Sequence, residues 1–94
     1  MTFDPEEHEL TALLKRLPHR RGCEVVEIGC GDGRLTRRYA AHVRHVLAID
    51  PDETSTARFR ACGVDANVDL RTIGVDRLQL PNGSADVVLF SWAL

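Results

Sequence analysis

A glycine-rich segment that directly follows an apolar run constrains the fold of this chain more than any other feature. Residues 24–33 read EVVEIGCGDG, a β-branched run that leads into a turn with three glycines at alternate positions. Glycine permits positive φ angles and has no Cβ, so the backbone of such a turn can approach a ligand closely. Residues 34–43 have helical spacing, which places a helix N-terminus at the same crevice. The segment predicts a strand, a ligand-binding turn and a helix in succession.

The rest of the chain alternates in the same manner between apolar runs and helical patterns. We predict further strands over residues 45–49, 67–73 and 86–94, and helices over residues 5–17, 34–43 and 53–62, the last capped by Gly63. Residues 67–73 are the least apolar of the strands and are expected near a sheet edge. This alternation predicts an α/β fold, a partial Rossmann-like parallel sheet with strand order 3-2-1-4 and helices on both faces.

Composition excludes several classes of function. The net charge of −2 gives the chain no general attraction to nucleic acid or to anionic membranes. The sequence contains no apolar run of about 18 residues, the length of a membrane span, and its acidic start lacks a signal-peptide core. The three cysteines form no C-x-x-C pair, so we expect reduced thiols and a cytoplasmic protein. His42 and His45 have no companions that would complete a metal site.

An acidic residue stands in register with the glycine turn. Asp50 ends the apolar run HVLAI and follows Gly29 by 21 residues. A carboxylate at about that distance can accept hydrogen bonds from both hydroxyls of a ribose. Each feature also has a purely structural interpretation. The glycines could form a tight turn that binds no ligand, and Asp50 could be a simple turn residue, because Asp-Pro favours turns. Both features together are much more specific than either alone.

At this point the sequence resembles class I S-adenosylmethionine-dependent methyltransferases, above all the small-molecule type related to ubiquinone-biosynthesis methyltransferases. The first motif of the family matches as Glu27, Gly29, Gly31 and Gly33, and VLAIDP resembles the second motif. The segment LPNGSADVVLFSWAL resembles the run into the family's fourth strand. The resemblance covers residues 22–94. It divides a single truncated domain, 1–94, into an N-terminal helix and loop over 1–21 and an S-adenosylmethionine-binding half over 22–94.

The resemblance implies a role for each matching position. The implied cofactor contacts are the methionyl ammonium for Glu27, the methionine and ribose for the backbone of Gly29, Cys30 and Gly31, the ribose for Asp50, the adenine for Pro51, and the sulfonium side for Ser91. One position departs from the family, which usually places an adenine-binding aspartate where this chain has Gly74. The amide of Val75 could still serve the adenine ring. Asp76 is either an exposed loop residue or a substitute for the missing aspartate.

The implied reaction is methyl transfer from S-adenosylmethionine to a small-molecule acceptor. Cys30 lacks a neighbouring base and is expected to fill space, so no catalytic side chain is predicted. A nicotinamide-binding protein is the weaker alternative, because the third glycine of its fingerprint would fall at Arg34. A P-loop is excluded by the absence of G-K-[ST] after the glycines.

The second alternative is a catalytically inactive remnant or binding module. The family continues beyond its fourth strand, whereas this sequence stops there at Leu94. We therefore expect a fragment in which strand 4 is an exposed apolar edge, prone to self-association and poorly soluble.

Overall fold

The computed structural model describes residues 14, 15, 17, 20–81 and 83–91 of the chain. Most of the predicted helix over residues 5–17 and residues 92–94 of the predicted fourth strand lie outside this part. The described residues form four strands and two α-helices: β1 (Glu24–Ile28), α1 (Arg34–Tyr39), β2 (His45–Ile49), α2 (Glu53–Cys62), β3 (Val68–Arg71) and β4 (Val87–Phe90). Short 3-10 turns cover Arg20–Gly22, Ala40–His42 and Val75–Arg77.

The four strands form one parallel sheet in the order β3-β2-β1-β4, as predicted. β1 lies in the middle, where Val26 pairs with Leu47 of β2 and with Val88 of β4. β1 and β2 are buried on both faces, which fits their nearly continuous apolar sequences. β3 is only partly buried, as expected for a strand at a sheet edge.

The two faces of the sheet are covered by different structures. On one face, Val25 and Val46 pack with Tyr39 of α1 and Phe59 of α2. The opposite face, formed by Val26, Ile28, Leu47 and Ile49, is covered by Ile73, Leu78 and Ala85 of the β3–β4 connection. We expected helices on both faces. Within the described residues both α-helices lie on one face, because successive right-handed crossovers from β1 to β2 to β3 run in the same direction.

Helix boundaries differ slightly from the sequence prediction. The helix predicted over 34–43 is α-helical to Tyr39 and continues as a 3-10 turn over Ala40–His42. α2 covers the predicted residues, begins at the Asp52 side chain, which accepts a hydrogen bond from Thr54 N, and ends at Gly63 with a φ of 98°. None of the helices in this part of the chain is long and apolar enough to cross a membrane.

Candidate functional site

The glycine turn lies at the carboxyl edge of the sheet, where open parallel sheets bind ligands. The turn is fixed to β2, because the amides of Gly29 and Cys30 both donate to Ile49 O, at 2.8 and 3.1 Å. Gly31 has a φ of 58°, and a Cβ built on it would meet no atom within 4 Å. Its lack of a side chain therefore leaves open space beside the backbone, which is the arrangement expected of a turn that receives a ligand.

The third glycine of the turn has a different reason to be glycine. Gly33 is buried and has a φ of 85°. A Cβ on Gly33 would lie 2.6 Å from the Phe59 ring of α2, far closer than van der Waals contact. Gly33 therefore lets α2 pack against the start of α1, and its role is in packing rather than in contact with a ligand.

Asp50 follows β2 and joins the turn from the neighbouring strand. Its side chain is 9% exposed. Oδ2 accepts a hydrogen bond from Gly31 N at 2.9 Å, and Oδ1 accepts one from Asp52 N at 2.8 Å. Each carboxylate oxygen has a second lone pair, so the fixed carboxylate can accept two further hydrogen bonds from a ligand.

Two cavities meet at Asp50 and Gly29. The first, of about 290 Å³, is the more polar of the two and is lined by ten residues: Gly29, Cys30, Gly31, Asp32, Arg34, Leu35, Asp50, Asp52, Ser55 and Ser91. The second, of about 320 Å³, is mostly apolar and lined by Ile28, Gly29, Ile49, Asp50, Pro51, Ile73 and Val75. Because Gly29 and Asp50 line both, the two cavities adjoin at these residues and form one cleft; we call them the polar cavity and the apolar cavity.

A larger cavity of about 640 Å³ lies beside Arg21 and His42, where the chain enters β1 and β2. We place the site at the glycine turn instead, because ligands of parallel sheets bind at the carboxyl ends of the strands. No group of His, Cys, Asp and Glu side chains suited to a metal ion occurs among residues 20–81 and 83–91.

Glu27 is fully buried and is not among the residues that line the polar cavity. It points to the helix-covered face, where Oε1 accepts hydrogen bonds from Thr36 Oγ1 at 2.7 Å and from Tyr39 OH at 2.5 Å. Its Oε2 accepts a hydrogen bond from Ser91 Oγ, and Ser91 lines the polar cavity. Glu27 therefore reaches the cleft through Ser91.

The ionisation of nearby groups reflects this burial and charge. Burial, the charge of Glu27 and the hydrogen bond to it raise the pKa of the Tyr39 hydroxyl far above its usual range, so Tyr39 stays a proton donor. Burial, followed by the charges of Glu27 and Asp50, raises the pKa of the Cys30 thiol to about 12. Cys30 is thus a neutral, buried thiol at neutral pH, which agrees with a space-filling side chain and not with a nucleophile.

Of the residues predicted to contact adenine, two line the cleft and one does not. Pro51 and Val75 line the apolar cavity, and Asp76 is not among its lining residues. A Cβ on Gly74 would lie 2.6 Å from Asp76 Oδ1, so the Asp76 carboxylate is folded back over Gly74. The structure brings together Gly29, Cys30, Gly31, Asp50, Pro51, Val75 and Ser91 around the cleft, with Glu27 behind Ser91 and Asp76 turned aside.

Sequence reasoning missed two polar partners of the site. Thr36 and Tyr39 of α1 are both fully buried, and neither was predicted as a site residue. The available signal was their spacing of three residues, which places two hydroxyls on one side of a helix next to an acidic strand residue that needs donors when buried.

Comparison with known proteins agrees on one family. A family model described as a methyltransferase domain matches residues 25–94. A probable S-adenosylmethionine-dependent methyltransferase of Mycolicibacterium smegmatis is 39% identical over 83 residues, which cover 87% of this chain and 31% of the relative. A ubiquinone biosynthesis O-methyltransferase of Sinorhizobium fredii is 35% identical over 71 residues, which cover 73% of this chain and 29% of the relative.

A solved structure shows the same fold. Phosphoethanolamine N-methyltransferase 1 of Haemonchus contortus, in complex with phosphoethanolamine and S-adenosylhomocysteine, superposes with a TM-score of 0.74 at 30% identity. The superposition covers 90% of this chain and 18% of that one. The chain thus spans about a third or less of the length of the proteins it matches.

Proposed function

Because this chain belongs to the methyltransferase-domain family of S-adenosylmethionine-dependent enzymes, we propose that its cleft binds S-adenosylmethionine for methyl transfer to a small-molecule acceptor. The observation that carries the proposal is the position of Asp50. Its carboxylate is held by Gly31 N and Asp52 N where the polar and the apolar cavity adjoin. A nucleoside joined to an amino acid matches this arrangement of cavities, because its ribose lies between an apolar base and a charged amino-acid part.

The proposed contacts follow this arrangement. Asp50 accepts hydrogen bonds from the ribose hydroxyls. The adenine ring lies in the apolar cavity beside Pro51 and Val75. Asp76 remains a candidate for the adenine amine, a role that requires its side chain to turn away from Gly74.

The amino-acid part of the cofactor occupies the polar cavity in this proposal. Gly29, Cys30 and Gly31 line that cavity, and Ser91 lines it next to the turn, with Oγ 3.1 Å from Gly29 O. The absence of a Cβ on Gly31 allows the ligand to approach the main chain. Glu27 lies behind this wall and contributes its charge without touching the ligand.

The chemistry of the proposed reaction requires little of the protein beyond positioning. The bound cofactor supplies a sulfonium methyl group, whose bond to sulfur breaks as a bond to the acceptor's nucleophilic atom forms, leaving a neutral thioether. The cleft residues orient the donor and exclude water, which is a sufficient source of rate enhancement when two reactants are held in line. The high pKa of the Cys30 thiol, about 12, agrees with a mechanism that uses no protein nucleophile.

A small acceptor and a cytoplasmic location are also part of the proposal. The relatives include a ubiquinone biosynthesis O-methyltransferase and a phosphoethanolamine N-methyltransferase, and the net charge of −2 does not favour nucleic acid as acceptor. All three cysteines are unpaired, which fits a reducing compartment. A module that binds the cofactor without turnover is the second candidate.

Calorimetry tests the cofactor. The chain should bind S-adenosylhomocysteine and should not bind NAD, and binding of NAD alone would overturn the proposal. A methyl-transfer assay with labelled S-adenosylmethionine and a panel of small acceptors then separates the two candidates. Binding with turnover supports the enzyme, and binding without turnover across the panel supports the module.

We also propose that the chain self-associates through β4. Val88 and Phe90 are 48% and 69% exposed, and no described strand pairs with the outer edge of β4. Residues 87–91 carry no charge, so the edge lacks the usual protection against pairing with a second copy. Sedimentation should show association that Val88→Lys abolishes, whereas a stable monomer of the unaltered chain would contradict it.

A further inference from the structure

Glu27 is a buried carboxylate held by hydroxyl groups from two different elements. Thr36 and Tyr39 of α1 donate to Oε1, at 2.7 and 2.5 Å, and Ser91 after β4 donates to Oε2. Each hydrogen bond offsets part of the large cost of placing a charge in the interior. Because the two hydroxyl groups from α1 both donate to Oε1, the carboxylate is held in one orientation. Its other oxygen, Oε2, faces Ser91.

Counting protons determines what Ser91 can offer to the cleft. Its hydroxyl lies within hydrogen-bonding distance of Glu27 Oε2 and, at 3.1 Å, of Gly29 O. Both are acceptors, and a serine hydroxyl has a single proton. That proton is therefore directed into the protein, and only lone pairs of Oγ face the polar cavity. A ligand group that meets Ser91 must be a hydrogen-bond donor.

The local charge selects the same kind of ligand group. Glu27 and Asp50 approach the polar cavity from two strands, and after burial their charges are the next causes that raise the pKa of the intervening Cys30 thiol to about 12. The two carboxylates give this part of the cleft a negative potential, which favours a cation. A cationic donor such as an ammonium group satisfies both requirements, whereas a carboxylate satisfies neither.

We propose that Thr36 and Tyr39 are positioning residues, which hold Glu27 so that Ser91 becomes an obligate acceptor for the ammonium group of the cofactor's amino-acid part. Neither residue is among those that line the polar cavity, so both act through Glu27. This inference rests on the proposed cofactor, and it adds two residues and a proton arrangement that determine how the cofactor's amino-acid part is recognised.

Two ligands that differ only in the amino-acid part provide the test. S-adenosylhomocysteine carries the ammonium group, whereas 5′-methylthioadenosine shares the base, ribose and thioether but lacks the amino acid. Calorimetry gives the ratio of their dissociation constants for the chain and for each variant. A purely structural role of Thr36 or Tyr39 would weaken both ligands together and leave the ratio unchanged.

We expect Ser91→Ala to reduce the preference for S-adenosylhomocysteine by about tenfold or more, as for loss of a hydrogen bond to a charged group. Tyr39→Phe and Thr36→Val should reduce it in the same direction by a smaller factor. Ser91→Thr retains the hydroxyl and should keep the ratio. Ser84→Ala removes an exposed serine on the connection before β4 and is the matched control.

Each outcome decides between the proposals. An unchanged ratio in Ser91→Ala, or equal weakening of both ligands in Tyr39→Phe, would overturn the inference while leaving the proposed cofactor intact. If Tyr39→Phe does not fold, as judged by circular dichroism, Thr36→Val decides alone. If the unaltered chain binds neither ligand, the proposed function fails and the inference fails with it.

Discussion

The two cavities that meet at Asp50 are constructed in different ways. The polar cavity is built mainly from the turn between β1 and α1, and main-chain hydrogen bonds from Gly29 and Cys30 to Ile49 fix that turn. The apolar cavity is closed by side chains of the β3–β4 connection, Ile73 and Val75. Residues 29–35 thus supply six of the ten residues that line the polar cavity, whereas the apolar cavity combines the ends of β1 and β2 with the β3–β4 connection. We expect substitutions in the polar half to have the larger effects.

The largest effect should come from Gly33→Ala. The substitution puts a side chain on a residue with a φ of 85° and drives its Cβ to within 2.6 Å of the Phe59 ring. A left-handed backbone costs about 1–2 kcal/mol for a residue with a side chain, and overpacking adds about 1–3 kcal/mol. We expect the free energy of unfolding to fall by about 2–5 kcal/mol, measured by urea denaturation followed by circular dichroism.

Gly22→Ala is the matched control for this substitution. Gly22 is exposed, and a Cβ on it would meet no atom within 4 Å. The free energy of unfolding of the Gly22→Ala variant should stay close to that of the unaltered chain. Equal losses in the two variants would mean that the close approach of Gly33 to Phe59 does not account for the loss of stability.

An intermediate effect is expected at Asp50, where the two cavities adjoin. Asp50→Ala removes the proposed ribose acceptor and also frees Gly31 N and Asp52 N. Hydrogen bonds to a charged group contribute about 1.5–3 kcal/mol each, so the affinity for S-adenosylhomocysteine should fall by at least about tenfold, as measured by calorimetry. Asp65→Ala, at an exposed aspartate before β3, should have no effect. An unchanged affinity in Asp50→Ala would remove the ribose assignment.

The smallest effect should come from the apolar half. Asp76→Asn alters a carboxylate that is folded back over Gly74 and is not among the residues lining the cavity. We expect the affinity for S-adenosylhomocysteine to change by less than about twofold, because the altered group makes no direct contact with the adenine in this arrangement. A tenfold loss would show instead that Asp76 turns into the cavity and binds the adenine amine.

The difference between local signals and contacts of distant residues also explains which features the sequence could predict. The strand order and both α-helices were predicted because apolar periodicity and glycine position are local signals, and they are confirmed by the parallel sheet and by the cap at Gly63. The buried state of Glu27 was not predicted. It depends on Thr36 and Tyr39 of α1 and on Ser91, which is 64 residues from Glu27 along the chain, and a single sequence carries no direct signal of such a contact.

The position of the Asp76 side chain could not be predicted from the sequence either. Its carboxylate lies against Gly74, two residues before it, and the conformation of the 3-10 turn over Val75–Arg77 decides that contact. Turn conformation depends on what the turn packs against. The neighbouring Ile73 and Leu78 pack on the face of the sheet formed by β1 and β2, so this half of the cleft takes its shape from tertiary structure.

The pairing of β4 with β1 has a consequence for the order in which the molecule assembles. Glu24 N donates to Asp86 Oδ2 across a separation of 62 residues, whereas β1, α1 and β2 are consecutive along the chain. Closing long loops is entropically costly, and folds rich in distant contacts form slowly. A nascent chain can therefore form the glycine turn and Asp50 while Ser91 is still absent from Glu27. Recognition of the ligand's tail would mature last, as the final strand docks.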